Sequence, residues 1–200
     1  MRRTLLVALL LGLAAAGTAC TMLDRSRLRF TNGLAAPVRL VFADGLPRII
    51  PPRETVELVV PRGASVARWE LVRPLSADGK PMGEEMRGAI VPRGRGTVAG
   101  SAWVRVGDAD YFAPLLSNAS ADLLRVTVNA GLAGARDCGC AVRPGTTRVF
   151  LGYYRLYGNS TVRARSPSGH DAIFRDLGPR VKSRDGTIGL RFERKDLRPR

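Results

Sequence analysis

From residue 27 onward, apolar residues recur at every second position in short runs. Val38, Leu40 and Phe42 alternate with Arg39 and Val41, and Val56, Leu58 and Val60 with Thr55, Glu57 and Val59. Ala67, Trp69 and Leu71 flank Arg68 and Glu70. The pattern resumes with Leu124, Val126 and Val128, then Val149, Leu151 and Tyr153, then Val162 and Ala164, and ends with Ile188, Leu190 and Phe192. A period of two puts one side-chain set on each face of a strand, and no stretch repeats with the period of a helix. Ala43-Asp44-Gly45, Val60-Pro61-Arg62-Gly63, Asp78-Gly79, Tyr157-Gly158-Asn159 and Arg184-Asp185-Gly186 supply turns between the runs. The prediction is an all-β fold of antiparallel sandwiches.

The two halves repeat one order of signals. Phe30-Thr31-Asn32 followed by Val38–Phe42 parallels Leu116-Ser117-Asn118 followed by Leu124–Val128. Gly45-Leu46 parallels Gly131-Leu132, and Ile50-Pro51-Pro52-Arg53-Glu54-Thr55 parallels Val142-Arg143-Pro144-Gly145-Thr146-Thr147. Arg95-Gly96-Thr97-Val98 parallels Asp185-Gly186-Thr187-Ile188. The offset between matched residues runs 86, 92, 90. This predicts two tandem modules, residues 27–112 and 117–195, joined near Pro114, with a basic tail at 196–200. Modules of about 80 residues bury modest cores, so the two are expected to dock on each other. The run of an asparagine, a strand, a glycine, then Pro-Gly-Thr and another strand resembles bacterial PEGA and Ig-like modules. That resemblance implies an accessory or adhesive domain of an envelope protein.

The first 19 residues read differently. Arg2 and Arg3 precede an uncharged stretch, Thr4 to Ala19, whose apolar heart is residues 5–13. That is too short to span a bilayer and has the size of a signal-peptide core. Gly17-Thr18-Ala19 then leads to Cys20, which resembles the lipobox of bacterial lipoproteins, with Gly17 where that family usually has leucine. The resemblance implies cleavage after Ala19, lipidation of Cys20, a tether at 20–26, and an exported protein held to a membrane by its acyl chains. Ordinary secretory cleavage after Ala16 or Ala19 and an uncleaved anchor are the other readings.

Composition narrows the chemistry. The 200 residues carry a formal charge of +15, and only three of the 32 basic residues are lysine. No block of five like charges stands out, so the excess is spread over surfaces. The exported address argues against nucleic acid and favours an envelope protein or an anionic glycan or lipid as partner. Arg163 and Arg165 share one face of a strand and are candidate anion-binding residues. Tyr153 and Tyr157 fall on one face of the aromatic run Phe150–Tyr157 and are candidate partner-binding aromatics, unless the other module covers them.

Cys138-Gly139-Cys140 is the one unusual tripeptide. Residues two apart in an extended strand sit about 6.6 Å apart, the upper limit for a disulfide. The pair reads as a local disulfide, as a thiol-redox pair, or as two soft ligands for Cu(I). The only histidine lies in Ser168-Gly169-His170-Asp171. Neighbours in one turn rarely reach the geometry of a hydrolase triad, and no nucleophile elbow is present. No phosphate-cradling loop occurs either. The expectation is a non-enzymatic protein without cofactor, with a Cu(I) or thiol-redox protein and an envelope hydrolase as rivals.

Overall fold

A computed structural model describes residues 25–42, 46–61, 67–90, 97–103 and 111–199. The signal-like segment, Cys20 and the turn Ala43-Asp44-Gly45 lie outside the described residues. In chain order the strands are β1 (Arg25–Asn32), β2 (Val38–Val41), β3 (Arg48–Ile50), β4 (Thr55–Pro61), β5 (Ala67–Leu71), β6 (Arg87–Ile90), β7 (Thr97–Ala102), β8 (Tyr111–Asn118), β9 (Leu124–Val128), β10 (Arg136–Val142), β11 (Val149–Phe150), β12 (Tyr154–Arg155), β13 (Val162–Arg165), β14 (His170–Phe174), β15 (Thr187–Phe192) and β16 (Arg198–Pro199).

They form two β-sandwiches. In the first, sheet β4-β1-β7 faces sheet β3-β2-β5-β6. In the second, β8 sits between β15 and the consecutive β11 and β12, and faces sheet β10-β9-β13-β14-β16. Most pairs are antiparallel. The exceptions are β1 with β7 and β8 with β15, which are parallel. β1 and β7 run the same way, as do β8 and β15, so each two share a sheet as parallel neighbours.

Alternation produced the cores as expected. Leu28, Phe30, Val38, Leu40, Ile50, Trp69 and Leu71 are buried together in the first sandwich. Leu124, Val126, Val128, Val162, Ala164, Leu190 and Phe192 are buried in the second. Each large apolar side chain so buried contributes roughly 1.5–3 kcal/mol.

The halves match bond for bond. Asn32 donates from Nδ2 to the carbonyls of Ala36 and Ile50, and its Oδ1 accepts from the N–H of Leu34. Asn118 donates to Asp122 and Val142 and accepts from Ser120. The N–H of the next residue bonds to the end of the last strand in both, Gly33 to Ala102 and Ala119 to Phe192, each at 2.8 Å. Asn118-Ala119-Ser120 is therefore a buried structural turn, which is why asparagine stands there.

Some boundaries differ from the sequence expectation. β1 begins at Arg25, inside the expected tether. β8 begins at Tyr111, so the expected junction near Pro114 falls within a strand of the second sandwich. Residues 196–199 are not a tail: Leu197 is buried in the second core, and β16 pairs β14 through Asp171–Arg198 and His170–Pro199. The run Val149–Tyr153 is not one strand. Gly152, at φ +97°, breaks it, and a Cβ there would lie 2.9 Å from the carbonyl oxygen of Met82. The close approach of residues 82–83 from the first sandwich thus requires glycine and ends the alternation.

Candidate functional site at the module junction

The break at Gly152 sends consecutive tyrosines to different cores. Tyr153 is fully buried in the first core, against Phe150 at 5.6 Å between ring centroids. Tyr154 is buried in the second core beside Phe112. The Tyr153 hydroxyl accepts from the N–H of Ala35 at 2.8 Å and donates to the carbonyl of Asp185 at 2.7 Å. One phenol thereby ties a loop of each sandwich together. Burial pushes its pKa up, so the hydroxyl stays a donor at any ordinary pH.

Asp185 anchors the same node. Its Oδ2 accepts from Arg53 of the first sandwich, at 3.2 Å from Nε and 2.5 Å from the terminal nitrogen. Its Oδ1 accepts from the Thr187 N–H and hydroxyl. Burial raises the pKa of this carboxyl, but the hydrogen bonds from Thr187 and Arg53 outweigh it, and the net shift is downward. A third tie lies nearby. Glu84 donates its N–H to the Tyr153 carbonyl at 2.7 Å, and its carboxylate accepts the Arg155 N–H at 2.9 Å.

Beside these ties, a cleft of about 420 Å³ separates the 72–86 loop from β10, with Arg73, Met82, Glu84, Arg136, Asp137 and Cys138 among its walls. Charges of both signs line it. Cys138 and Cys140 form a disulfide with 5.1 Å between Cα atoms. That is shorter than the strand spacing because β10 bulges between Asp137 and Ala141, with Gly139 at φ +64°. The bulge also deforms an edge strand of the five-stranded sheet, which hinders pairing with another chain. In this oxidised form the two sulfurs are bonded to each other, and a thiolate pair for Cu(I) would need the disulfide reduced. No cluster of three or more His, Cys, Asp or Glu occurs among the described residues.

The other sequence candidates are not brought together. Arg163 is half-buried and its guanidinium is bonded to the Asp171 carboxylate across β13 and β14, so its charge is spent inside the sheet rather than offered to an anion. Arg165 is exposed and opposes Arg125 on β9. Tyr153 is structural and not a partner-binding residue, because it is buried in the core of the first sandwich. Tyr157 is 39% exposed and lies over Gly134. Ser168 approaches His170 Nδ1 at 3.0 Å, but Asp171 belongs to Arg163, so the three do not assemble a triad.

Arg53 and Asp185 escaped notice as site residues, since they lie 132 positions apart and each sits in an ordinary turn signal. The one local sign was Arg53 standing where the second half has Gly145.

No protein-family model matches the chain, and no curated protein matches it. Among solved structures, it is similar to the shaft pilin SpaA of Lactobacillus rhamnosus GG, at 8% identity, over 84% of this chain and 96% of that one, with a TM-score of 0.27.

Proposed function

We propose that this is a non-enzymatic, lipid-anchored protein of the cell envelope, built by tandem duplication of one β-sandwich module, with a binding or assembly role toward other envelope proteins. The observation that supports it is the junction. Tyr153, Asp185, Arg53 and Glu84 are the groups best placed for chemistry, and all are committed to holding one sandwich against the other. Two modules fixed in relation to each other suit a protein that presents surfaces. The matched bonding of Asn32 and Asn118 supports the duplication. The apolar run ending at Ala19-Cys20 supports export and anchoring.

The test is membrane fractionation of a bacterial host expressing the full chain, with intact-mass measurement of the product. The expected result is a membrane-bound form acylated at Cys20, since two or more acyl chains give stable anchoring. Cys20→Ser should then appear soluble or unprocessed. A wild-type product that is soluble and carries no lipid overturns the anchoring.

A further inference from the structure

The two sandwiches differ at one edge. In the second, β14 is covered by β16, and the C-terminal segment inserts Leu197 into the core. Register identifies the matching positions in the first sandwich. β5–β6 corresponds to β13–β14, so Ile90 matches Phe174 and Arg87 matches Asp171. β1–β7 corresponds to β8–β15, so Gly100 matches Leu190 and Ala102 matches Phe192.

At Gly100 and Ala102 the first sandwich has small residues where the second has Leu190 and Phe192, and among the described residues no strand covers β6. The result is a groove of about 590 Å³ between β6 and β7, lined by Arg29, Ile90, Gly100 and Trp103 among others. Trp103 is 45% exposed at its rim.

We infer that this groove accepts an extended strand from an acidic partner protein, which pairs with β6 and places an apolar side chain against Ile90 and Trp103. Strand addition at an open edge draws affinity from backbone hydrogen bonds and specificity from alternate side chains. Charge decides the partner's sign. In the second sandwich Arg198 lies opposite Asp171, opposite charges on paired strands. In the first, the equivalent position is Arg87, exposed on the outer face with Arg39 and Arg68; Glu85, 3.6 Å from Arg87, and Glu70, bonded to Arg68, balance part of this charge, and with Arg29 at the groove arginine stays in excess. An incoming strand there gains from Glu or Asp and loses from Lys or Arg. The chain's +15 charge also disfavours a second copy. This deepens the binding role proposed above and rests on it for the partner's being an envelope protein.

The test uses the purified full chain in detergent and two labelled peptides, one alternating leucine and glutamate, the other leucine and lysine, read by fluorescence anisotropy. The leucine–glutamate peptide should bind and the leucine–lysine peptide should bind more than about tenfold more weakly. Gly100→Leu fills the groove with the residue type of the second sandwich. Its Cβ would lie 3.0 Å from Cδ1, 3.1 Å from Cγ2 and 3.2 Å from Cγ1 of Ile90, so the Ile90 side chain must shift to admit it. It should weaken the acidic peptide by more than about tenfold, with a cooperative melt showing that the variant is folded. Arg87→Glu, an exposed substitution that leaves the core alone, should erase the preference between peptides even if Gly100→Leu fails to fold. The inference is overturned if neither peptide binds, if both bind equally, or if Gly100→Leu binds like wild type. Self-association abolished by Gly100→Leu in sedimentation velocity would make a second copy the occupant and overturn the acidic partner. None of these outcomes bears on Cys20, and loss of anchoring leaves the groove intact.

Discussion

Tyr153→Phe removes one oxygen from the junction and almost nothing else. The ring stays in the first core against Phe150, so no cavity forms. Two hydrogen bonds go: the one accepted from Ala35 N–H and the one donated to the Asp185 carbonyl. Both backbone groups are left without that partner in a site closed to water. A typical bond contributes about 0.5–1.5 kcal/mol, and a buried group left unpaired costs about 1–3 kcal/mol. The expected loss is therefore about 2–4 kcal/mol. For a chain of this length that lowers the melting temperature by roughly 4–16 °C. Because the phenol ties the sandwiches together, the variant should also separate their unfolding into two steps where wild type shows one. Calorimetry with urea unfolding followed by tryptophan fluorescence reads both, since Trp69 and Trp103 report on the first sandwich alone. A shift below about 2 °C with a single transition would mean that the junction contributes little and that the sandwiches are independently stable.

Asn32→Ala and Asn118→Ala should each cost about 2–4 kcal/mol, because each strips buried carbonyls and one N–H of the same partners. Urea midpoints check this, and a large cost at one position with none at the other would mean the matched bonds do different work. Acid should loosen the junction. The Asp185 carboxyl is lowered in the folded state, so the unfolded chain takes up the proton first. Its contribution is present above the ordinary carboxylate pKa of about 4 and is lost as pH falls below that. The stability difference between wild type and Asp185→Asn should shrink from neutral pH to about pH 3, and a constant difference would refute the assignment.

What the sequence revealed depended on how many sides each strand buries. β2, β9 and β13 bury one face, and their alternation named them directly. β8 was not visible as a strand because it serves both cores: Ala113 packs in the first and Phe112 and Leu116 in the second. Buried on two sides, it has no polar alternation to read. β7, Thr-Val-Ala-Gly-Ser-Ala, is built of small residues and gives little signal. β10 hides behind its bulge. The asparagine pair was legible because a turn repeats locally, and the offsets of 86 and 92 reappear in the residues its side chains contact. The junction was not, because its partners are distant in the chain and the evident turn at Arg184-Asp185-Gly186 gives no hint of what its carboxylate meets. The aromatic run misled for a related reason: Gly152 answers to Met82, seventy residues upstream, and only that contact breaks the alternation.

Arg53 shows how two similar modules become distinct. Its counterpart Gly145 sits at φ +76°, a conformation glycine adopts freely. Arg53 holds φ +62° at the same place, at a cost of roughly 1–2 kcal/mol for a side chain with a Cβ. Glycine would relieve that strain, and an exposed arginine gains little from an ordinary surface pair. The compensation lies with its partner. The Asp185 side chain is only 11% exposed, and without Arg53 its charge would rest on Thr187 and Ser183 alone. Removing one member of a buried pair costs more than the pair itself contributes, because the remaining charge stays out of water. Arg53 is therefore held in a strained turn by a carboxylate in the other half of the chain. Gly145 in the second module has no side chain to make a matching bond. The two modules are thus not interchangeable: the first meets the second through Arg53 and Ala35, while the second closes its own edge with β16, which has no counterpart on β6 among the described residues.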